Sequence, residues 1–291
     1  MKKFVFTLIL FLTPLSIFMC VNMSFNYHVY SNQSIDMGNT KVVVLGDSHL
    51  MTAVDPDLFE NATNVCQSAE PPIVSYWKLK KILQANTFDQ IIFGLAPHNI
   101  SECNDYRFCE TKWSKEMFNR IYPIQDFSSI RNKLSVDYSN YYHTLWKQTA
   151  LFPKMIHGNF IGKFSAKKTS DISNWQSAIK RHYYLNDQVY SESVLSVAYI
   201  DSIVDICRKH DVSLLIASSP VHKRYYENIP RSILNSYNKL IEKYEEQGVL
   251  VYNKTKDNSY ADSMFFDVHH LNYIGAERFT SELIEFYNKP H

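Results

Sequence analysis

The chain is short of glycine, with 7 in 291 residues. A loop that cradles the phosphates of a nucleotide or flavin needs several glycines close together, and Gly46 stands alone before Asp47, Ser48 and His49. The scarcity argues against a flavodoxin-like cofactor binder, and we expect no cofactor.

An excess of charge of either sign is also missing. The 30 basic and 29 acidic residues leave a formal net charge of +1. Nucleic-acid binding depends on a basic surface that neutralises phosphates, so this balance gives no reason to expect a nucleic-acid partner.

Cysteines are few, and no pair among the five has zinc-ligand spacing with histidine nearby. Cys103 and Cys109 could close a small disulfide loop in an oxidising compartment. Cys66 and Cys207 lie in apolar stretches and are expected to pack as small hydrophobic side chains.

The N-terminus is typical of an exported protein. Lys2 and Lys3 precede an apolar run over residues 4–21. We therefore assign residues 1–24 to a signal peptide or N-terminal membrane anchor, and the polar residues 25–40 to a tether. The rest of the chain is expected outside the cytoplasm, periplasmic or at the outer face of the membrane, anchored or secreted. A buried core helix is the less favoured alternative, because the run is terminal and follows two lysines.

Strand and helix patterns alternate in the remainder, residues 41–291. Short apolar runs predict strands at residues 42–45, 64–67, 89–94, 212–217 and 249–252. Helical periodicity predicts helices at residues 75–84, 191–210, 233–247 and 273–288. Alternation without hairpin signals predicts an α/β domain with a parallel, doubly wound sheet. Lys78, Lys80 and Lys81 are expected on a solvated helix face.

Residues 103–190 interrupt this alternation. They carry three of the four tryptophans, Trp113, Trp146 and Trp175. We predict a largely helical insertion, which is either a lid or binding element or a packing subdomain without substrate contact.

Two polar segments carry the candidate chemistry. Ser48 follows the first strand, and ligands of open α/β sheets bind just beyond the carboxyl ends of such strands. A serine hydroxyl becomes a nucleophile only when a base removes its proton. Asp267 and His270 lie three residues apart, so the carboxylate can orient the imidazole, which can take the proton and return it to a leaving alcohol. His269 is expected to pack or hydrogen-bond locally.

Gly46-Asp47-Ser48 after the first strand, with Asp267 and His270 before the last helix, resembles the SGNH (GDSL-type) hydrolase superfamily. The resemblance implies a flavodoxin-like three-layer α/β/α fold and the cleavage or transfer of acyl esters. It also implies that Ser48, His270 and Asp267 are the catalytic residues.

The resemblance further implies donors for an oxyanion: the nucleophile's own N–H, a glycine after the second strand and an asparagine after the third. This chain has no glycine after the second strand, where Ala69 or Ser68 offers only a backbone N–H. After the third strand Ala96 occupies the asparagine position, and Asn99 or His98 could reach the same place. The alternative is that Asn99 only caps a turn.

His222, after the fourth strand, also falls at the ligand-binding edge and could bind substrate. The alternative is a structural or surface histidine, because histidines are common in such loops.

The preferred interpretation is an extracytoplasmic serine esterase or O-acyltransferase. Its substrates would be acyl esters of envelope or secreted carbohydrate, with acetyl as the favoured acyl group. Its partners would be the acylated carbohydrate, or another small ester, and the membrane. The alternative is a non-catalytic module that binds a glycan or a partner in envelope polysaccharide assembly. A metal-dependent hydrolase using Asp47, His49, Asp267 and His270 is a minor alternative to our expectation of no metal.

Overall fold

A parallel sheet forms the centre of the fold. The computed structural model describes residues 1–155 and 159–289, and within them five strands make up this sheet. The strands are β1 (Val42–Leu45), β2 (Ala62–Asn64), β3 (Gln90–Gly94), β4 (Ser213–Ser218) and β5 (Leu250–Asn253). Their spatial order is β2-β1-β3-β4-β5, all parallel. This is the flavodoxin-like order, whose switch point, where ligands bind, lies between β1 and β3.

Helices cover both faces of the sheet. In chain order the helices are α1 (Lys2–Asn32), α2 (Ser48–Ala53), α3 (Pro72–Ile82), α4 (Tyr106–Cys109), α5 (Thr111–Ile121), α6 (Ser128–Arg131), α7 (Tyr138–Thr149), α8 (Trp175–Tyr183), α9 (Val194–Lys209), α10 (Lys223–Tyr226), α11 (Arg231–Glu246) and α12 (Tyr273–Tyr287). Short 3₁₀ turns lie at Pro56–Leu58, Pro97–Ile100, Glu102–Asn104 and Asp262–Met264.

Successive residues of each strand point to opposite faces and so build two cores. Val43, Phe93 and Ile216 pack on one face with side chains of α3, α9 and α11. Val44 and Leu215 pack on the other face with side chains of α2 and α12. Because both faces are covered, the strands are continuous apolar runs, and the predicted three-layer α/β/α fold is confirmed.

The chain divides into two compact units. The sheet unit consists of residues 35–106 and 161–291. The other unit combines residues 1–34 with 107–160, so it joins the N-terminal helix to much of the predicted insertion. Residues 156–158 of that insertion lie outside the described residues.

The N-terminal unit is helical. Its helix α1 is long and apolar enough to cross a membrane and continues to Asn32, into the segment predicted as a tether. Asn22 and Asn26 of α1 are buried, and their side-chain amides donate to the carbonyls of Ala150 and Thr149 at the end of α7. These bonds satisfy carbonyls that a helix end leaves unpaired, and they tie α1 to the helical insertion.

Most element boundaries differ from prediction by one to three residues. The largest strand shift is at β2, predicted at residues 64–67 and found at Ala62–Asn64. Asn64 is the last residue of this strand, and its buried side chain donates to the carbonyls of Leu50 and Val54. No disulfide forms among the five cysteines, all of which are described, so the Cys103–Cys109 loop is not closed in this structure.

Candidate active site

Ser48 lies at the first turn after β1. Gly46 there has a φ of 141°, a conformation that L side chains rarely adopt, and its backbone packs against that of Gly94 at the end of β3. Asp47 caps α2 by accepting a hydrogen bond from the N–H of His49. The turn places Ser48 as the first residue of α2, half-buried, at the switch point of the sheet.

Asp267 and His270 lie in a tight hairpin just before α12. The Asp267 carboxylate accepts from the N–H groups of His269 and His270, both at 2.9 Å, so the turn itself fixes the carboxylate. Asn272 then caps α12 by accepting from the N–H groups of Ile274 and Gly275. The local chemistry of the segment thus sets the direction of the His270 ring.

The structure brings Ser48, His270 and Asp267 together. His270 Nε2 is 2.8 Å from Ser48 Oγ, and His270 Nδ1 is 2.9 Å from Asp267 Oδ2. Burial alone would raise the pKa of Asp267, but hydrogen bonds from His270 and the turn N–H groups hold it below its usual value. The carboxylate therefore stays ionised, and the arrangement is able to pass a proton from hydroxyl to imidazole.

Asp47 is the buried link between the turn after β1 and the loop after β3. Its Oδ2 atom is 2.5 Å from His98 Nε2 and accepts a hydrogen bond of 2.8 Å from Asn99 Nδ2. Burial raises the pKa of Asp47, but His98 and the His49 N–H outweigh it and hold the pKa well below the ordinary value. The contacts of Asp47 with His98 and Asn99 tie the turn that carries Ser48 to the loop at the end of β3.

Asn99 and His98 are thus engaged in this link. Both polar atoms of the Asn99 amide are used, because Oδ1 accepts from the Ala96 N–H at 2.7 Å while Nδ2 donates to Asp47. The Asn99 contacts are those of the turn-capping alternative, and His98 contacts Asp47, while an oxyanion role for either side chain stays a prediction.

The loop after β2 takes up an unusual backbone conformation at Ala69. Its φ is 57°, in the left-handed region where glycine is the usual residue. The next residue, Glu70, is fully buried with Lys78 in an ion pair of 2.5 Å, and it also accepts from Ser75 Oγ at 2.7 Å. Lys78 Nζ donates to the Val65 carbonyl as well. These contacts hold Ala69 in a conformation that costs about 1–3 kcal/mol.

The prediction that Lys78, Lys80 and Lys81 form a solvated helix face is wrong for two of the three. Lys78 has no exposed side-chain surface and Lys81 is also buried, whereas Lys80 is exposed. The signal was present in the sequence, because Lys78 lies four residues from both Val74 and Ile82 and so shares their buried face.

His222 lies apart from these contacts and braces the segment before the hairpin. Its Nε2 is 3.1 Å from Asp262 Oδ1, its Nδ1 accepts from the Arg224 N–H, and its own N–H donates to the Val268 carbonyl. With Asp262 and Phe265 it lines a groove of about 450 Å³. These contacts agree with the alternative prediction, in which His222 has a structural role.

Five imidazoles meet beside Ser48, a feature that the sequence did not predict. His49, His98, His182, His269 and His270 form a closed circuit of neighbouring rings, with centroids 4.0 to 5.2 Å apart. We call this set the histidine cluster. Burial and the nearby histidines lower the pKa of both His49 and His269 well below the ordinary value, so these two rings are neutral at neutral pH.

One ring nitrogen each from His49, His269 and His270 lies within 4.8 Å of the others. Neutral imidazoles are the commonest metal ligands in proteins, so these three residues could hold an ion. The His49–His270 contact unites residues more than 200 positions apart, and local sequence patterns cannot reveal it.

Comparisons with known proteins add little about function. No curated protein matches the chain. A protein-family model matches residues 164–289, less than half of the chain. Among solved structures, a Bacteroides fragilis protein named as a "putative acylhydrolase" aligns over 90% of this chain and 92% of its own, with 11% identity and a TM-score of 0.42.

Proposed function

We propose that the protein is a serine esterase or O-acyltransferase with Ser48 as nucleophile, His270 as general base and acid, and Asp267 as the residue that orients His270. The observation that carries the proposal is the chain of contacts from Ser48 Oγ to His270 Nε2 at 2.8 Å and from His270 Nδ1 to Asp267 Oδ2 at 2.9 Å. Its place at the sheet switch point, and the motif resemblance to SGNH hydrolases, support the same function.

In the proposed reaction, His270 Nε2 takes the Ser48 proton while Oγ attacks the ester carbonyl. Asp267 stabilises the imidazolium, which then protonates the departing alcohol and leaves an acyl-Ser48 intermediate. Water completes hydrolysis, and a second hydroxyl compound completes transfer. Both outcomes share the same intermediate, so the residues of the triad serve either.

Backbone N–H groups are the proposed oxyanion donors. The Asn99 amide bonds to Asp47 and Ala96, so we place the N–H groups of Ser48 and of the left-handed Ala69 first among the predicted donors. The proposed substrate class is an acetyl or other short acyl ester on envelope or secreted carbohydrate, which rests on the export segment and the resemblance.

We further propose that α1 is retained as an anchor and that the catalytic unit lies outside the cytoplasm. Lys2 and Lys3 before the apolar segment favour a cytoplasmic N-terminus. The buried Asn22 and Asn26 support retention, since cleavage near residue 24 would remove one of them and leave the other at a frayed end.

The test is a fluorophosphonate probe, which phosphonylates an activated serine, alongside hydrolysis of an acetyl ester. We expect labelling of the wild type, loss of labelling and an activity loss of at least about 10³-fold in Ser48→Ala, and no change in the control Ser202→Ala on α9. Equal activity in wild type and Ser48→Ala would refute the mechanism.

A non-catalytic glycan-binding module is the second candidate. It is favoured by the Asn99 amide, whose two polar atoms bond within the protein instead of facing a substrate. Absence of probe labelling in a folded wild type, together with saturable binding of an envelope glycan, would support this alternative.

A further inference from the structure

His49 is buried without a hydrogen-bond partner on either ring nitrogen. Its exposure is 3%, and neither Nδ1 nor Nε2 bonds to any group in the described part of the chain. Buried polar atoms are nearly always satisfied, so a pair of unsatisfied nitrogens points to a water molecule or an ion as the missing partner.

The surroundings of His49 suit a cation. The nitrogens of His269 and His270 lie within 4.8 Å, and the Asp267 carboxylate contacts the Nδ1 atoms of both rings, at 3.1 Å for His269 and 2.9 Å for His270. A carboxylate behind a ligating imidazole is a common arrangement at zinc sites, because it orients the ring and raises its basicity. That arrangement holds for His270, whose Nε2 faces away from Asp267. In His269 it is Nε2 that lies 3.4 Å from Arg181, so an ion would bind Nδ1 in place of the Asp267 contact.

We propose that His49, His269 and His270 form an inhibitory site for Zn²⁺. Bound zinc would occupy the Nε2 lone pair of His270 that accepts the Ser48 hydroxyl hydrogen. The proton would then remain on Ser48, and no nucleophile would form. Because zinc–nitrogen bonds are about 2.0–2.1 Å, ligand nitrogens lie about 3.4 Å apart in a tetrahedral site, so the rings must approach each other by up to about 1.4 Å. The inhibition rests on the proposed serine mechanism, whereas the binding does not.

The experiment uses the untagged full-length chain and Zn²⁺ as the only added metal. Calorimetry should show that each chain binds one zinc ion with high affinity. In His49→Gln the zinc affinity should fall by more than about 10–100-fold, which is the loss expected when only an outer-shell partner is removed. The matched control is His210→Gln, the same change at an exposed histidine, and should bind zinc like the wild type. Zinc should slow fluorophosphonate labelling of the wild type, a chelator should restore it, and zinc should not slow labelling of His49→Gln.

The outcomes separate the two proposals. Labelling that zinc does not slow, with no binding that depends on His49, would overturn the zinc site and leave the serine mechanism standing. Binding that depends on His49 in a protein that never labels would support the site and refute the serine mechanism. If His49→Gln does not fold, zinc-soaked wild-type crystals decide: an anomalous peak among the three rings supports the site, and only a water molecule there overturns it.

A second inference concerns the loop that follows α7, residues 150–155. Asn26 Nδ2 donates to the Phe152 carbonyl at 2.8 Å, and Asn26 Oδ1 accepts from the Lys154 N–H at 2.8 Å. With the bonds from Asn22 and Asn26 to residues 149 and 150, this loop is pinned to α1 directly after the apolar segment. That segment, residues 4–21, spans about 27 Å at 1.5 Å per residue, close to the thickness of a bilayer core.

The loop nevertheless exposes large apolar side chains. Phe152 is 68% exposed and Met155 78%, and Trp146 on the preceding turn of α7 is 46% exposed. Tryptophan and tyrosine are enriched where a membrane protein meets the headgroup region, a position that suits Trp146. The geometry points to insertion of Phe152 and Met155 into the outer leaflet, which would hold the helical insertion on the lipid surface.

Photo-crosslinking of the full-length chain in phosphatidylethanolamine–phosphatidylglycerol liposomes tests this inference. Benzoylphenylalanine at Phe152 or Met155 should give lipid adducts by mass spectrometry, as it should at Leu10 inside the apolar segment. The control is Val194, which is 82% exposed and lies outside the helical unit, and it measures the background of adducts at an exposed apolar position. Lipid insertion is wrong if positions 152 and 155 give no more lipid adducts than position 194. It is also wrong if they crosslink only to protein while position 10 crosslinks to lipid.

Discussion

Replacing Lys78 by methionine tests the buried ion pair beneath the loop that carries Ala69. Methionine fills most of the space of the lysine stem but removes the ammonium, so the Glu70 carboxylate loses its 2.5 Å ion pair. Both side chains of the pair have no exposed surface. Breaking a fully buried pair by removing one partner costs about 3–5 kcal/mol, because the remaining charge is uncompensated.

That free energy predicts a fall in Tm of roughly 6–20 °C, at about 2–4 °C per kcal/mol for a protein of this size. Differential scanning calorimetry in detergent measures it. The control is Lys80→Met, the same change on the exposed side of α3, which should shift stability by no more than about 0.5 kcal/mol. The double variant Lys78→Met/Glu70→Gln removes both charges and should recover most of the loss.

A Tm for Lys78→Met equal to that of Lys80→Met would refute the reasoning, since it would mean that removing the buried ammonium does not destabilise the folded chain. A double variant as unstable as Lys78→Met would show that the loss comes from packing instead of charge. We also expect slower fluorophosphonate labelling of Ser48 in Lys78→Met, because the left-handed Ala69 loses its support.

Two further predictions concern the histidine cluster and Asp47. Burial lowers the pKa values of His49 and His269 in the folded chain. Below about pH 6.5 the unfolded chain therefore binds protons at these rings that the folded chain does not bind. The free energy of unfolding should fall with decreasing pH by up to about 1.4 kcal/mol per pH unit for each ring. Chemical denaturation between pH 7 and 5 should therefore show a slope smaller by up to about 1.4 kcal/mol per unit in His49→Gln than in the wild type or the exposed control His210→Gln. Equal slopes in all three proteins would contradict buried, neutral rings. Asp47→Asn should lower the free energy of unfolding by about 2–3 kcal/mol, because an amide nitrogen would then face the amide donor of Asn99. The control Asp55→Asn, at the half-buried cap of a 3₁₀ turn, should lower it by about 1 kcal/mol or less. Similar losses in the two variants, measured by thermal unfolding, would show that the Asp47 contacts are weak.

Much of the fold follows from local patterns in the chain. Runs such as residues 42–45 and 91–94 are apolar because strands of a parallel sheet are buried on both faces, and such a pattern is visible without any knowledge of partners. The helices between them show their buried side through periodicity alone. The candidate triad was also accessible, since Asp267 and His270 share one turn and Ser48 follows the first strand.

Only the tertiary structure decided which polar residues meet. The roles of Asn99 and His98 depend on Asp47, some fifty positions earlier, and the Glu70–Lys78 pair depends on how the loop after β2 folds back onto α3. The histidine cluster collects rings from four separate loops and helices. Such contacts are set by the packing of distant segments, whereas strand and helix patterns arise from neighbours in the chain. For that reason the sequence by itself determined the layers and the chemistry at each strand end, and the three-dimensional arrangement determined the partners.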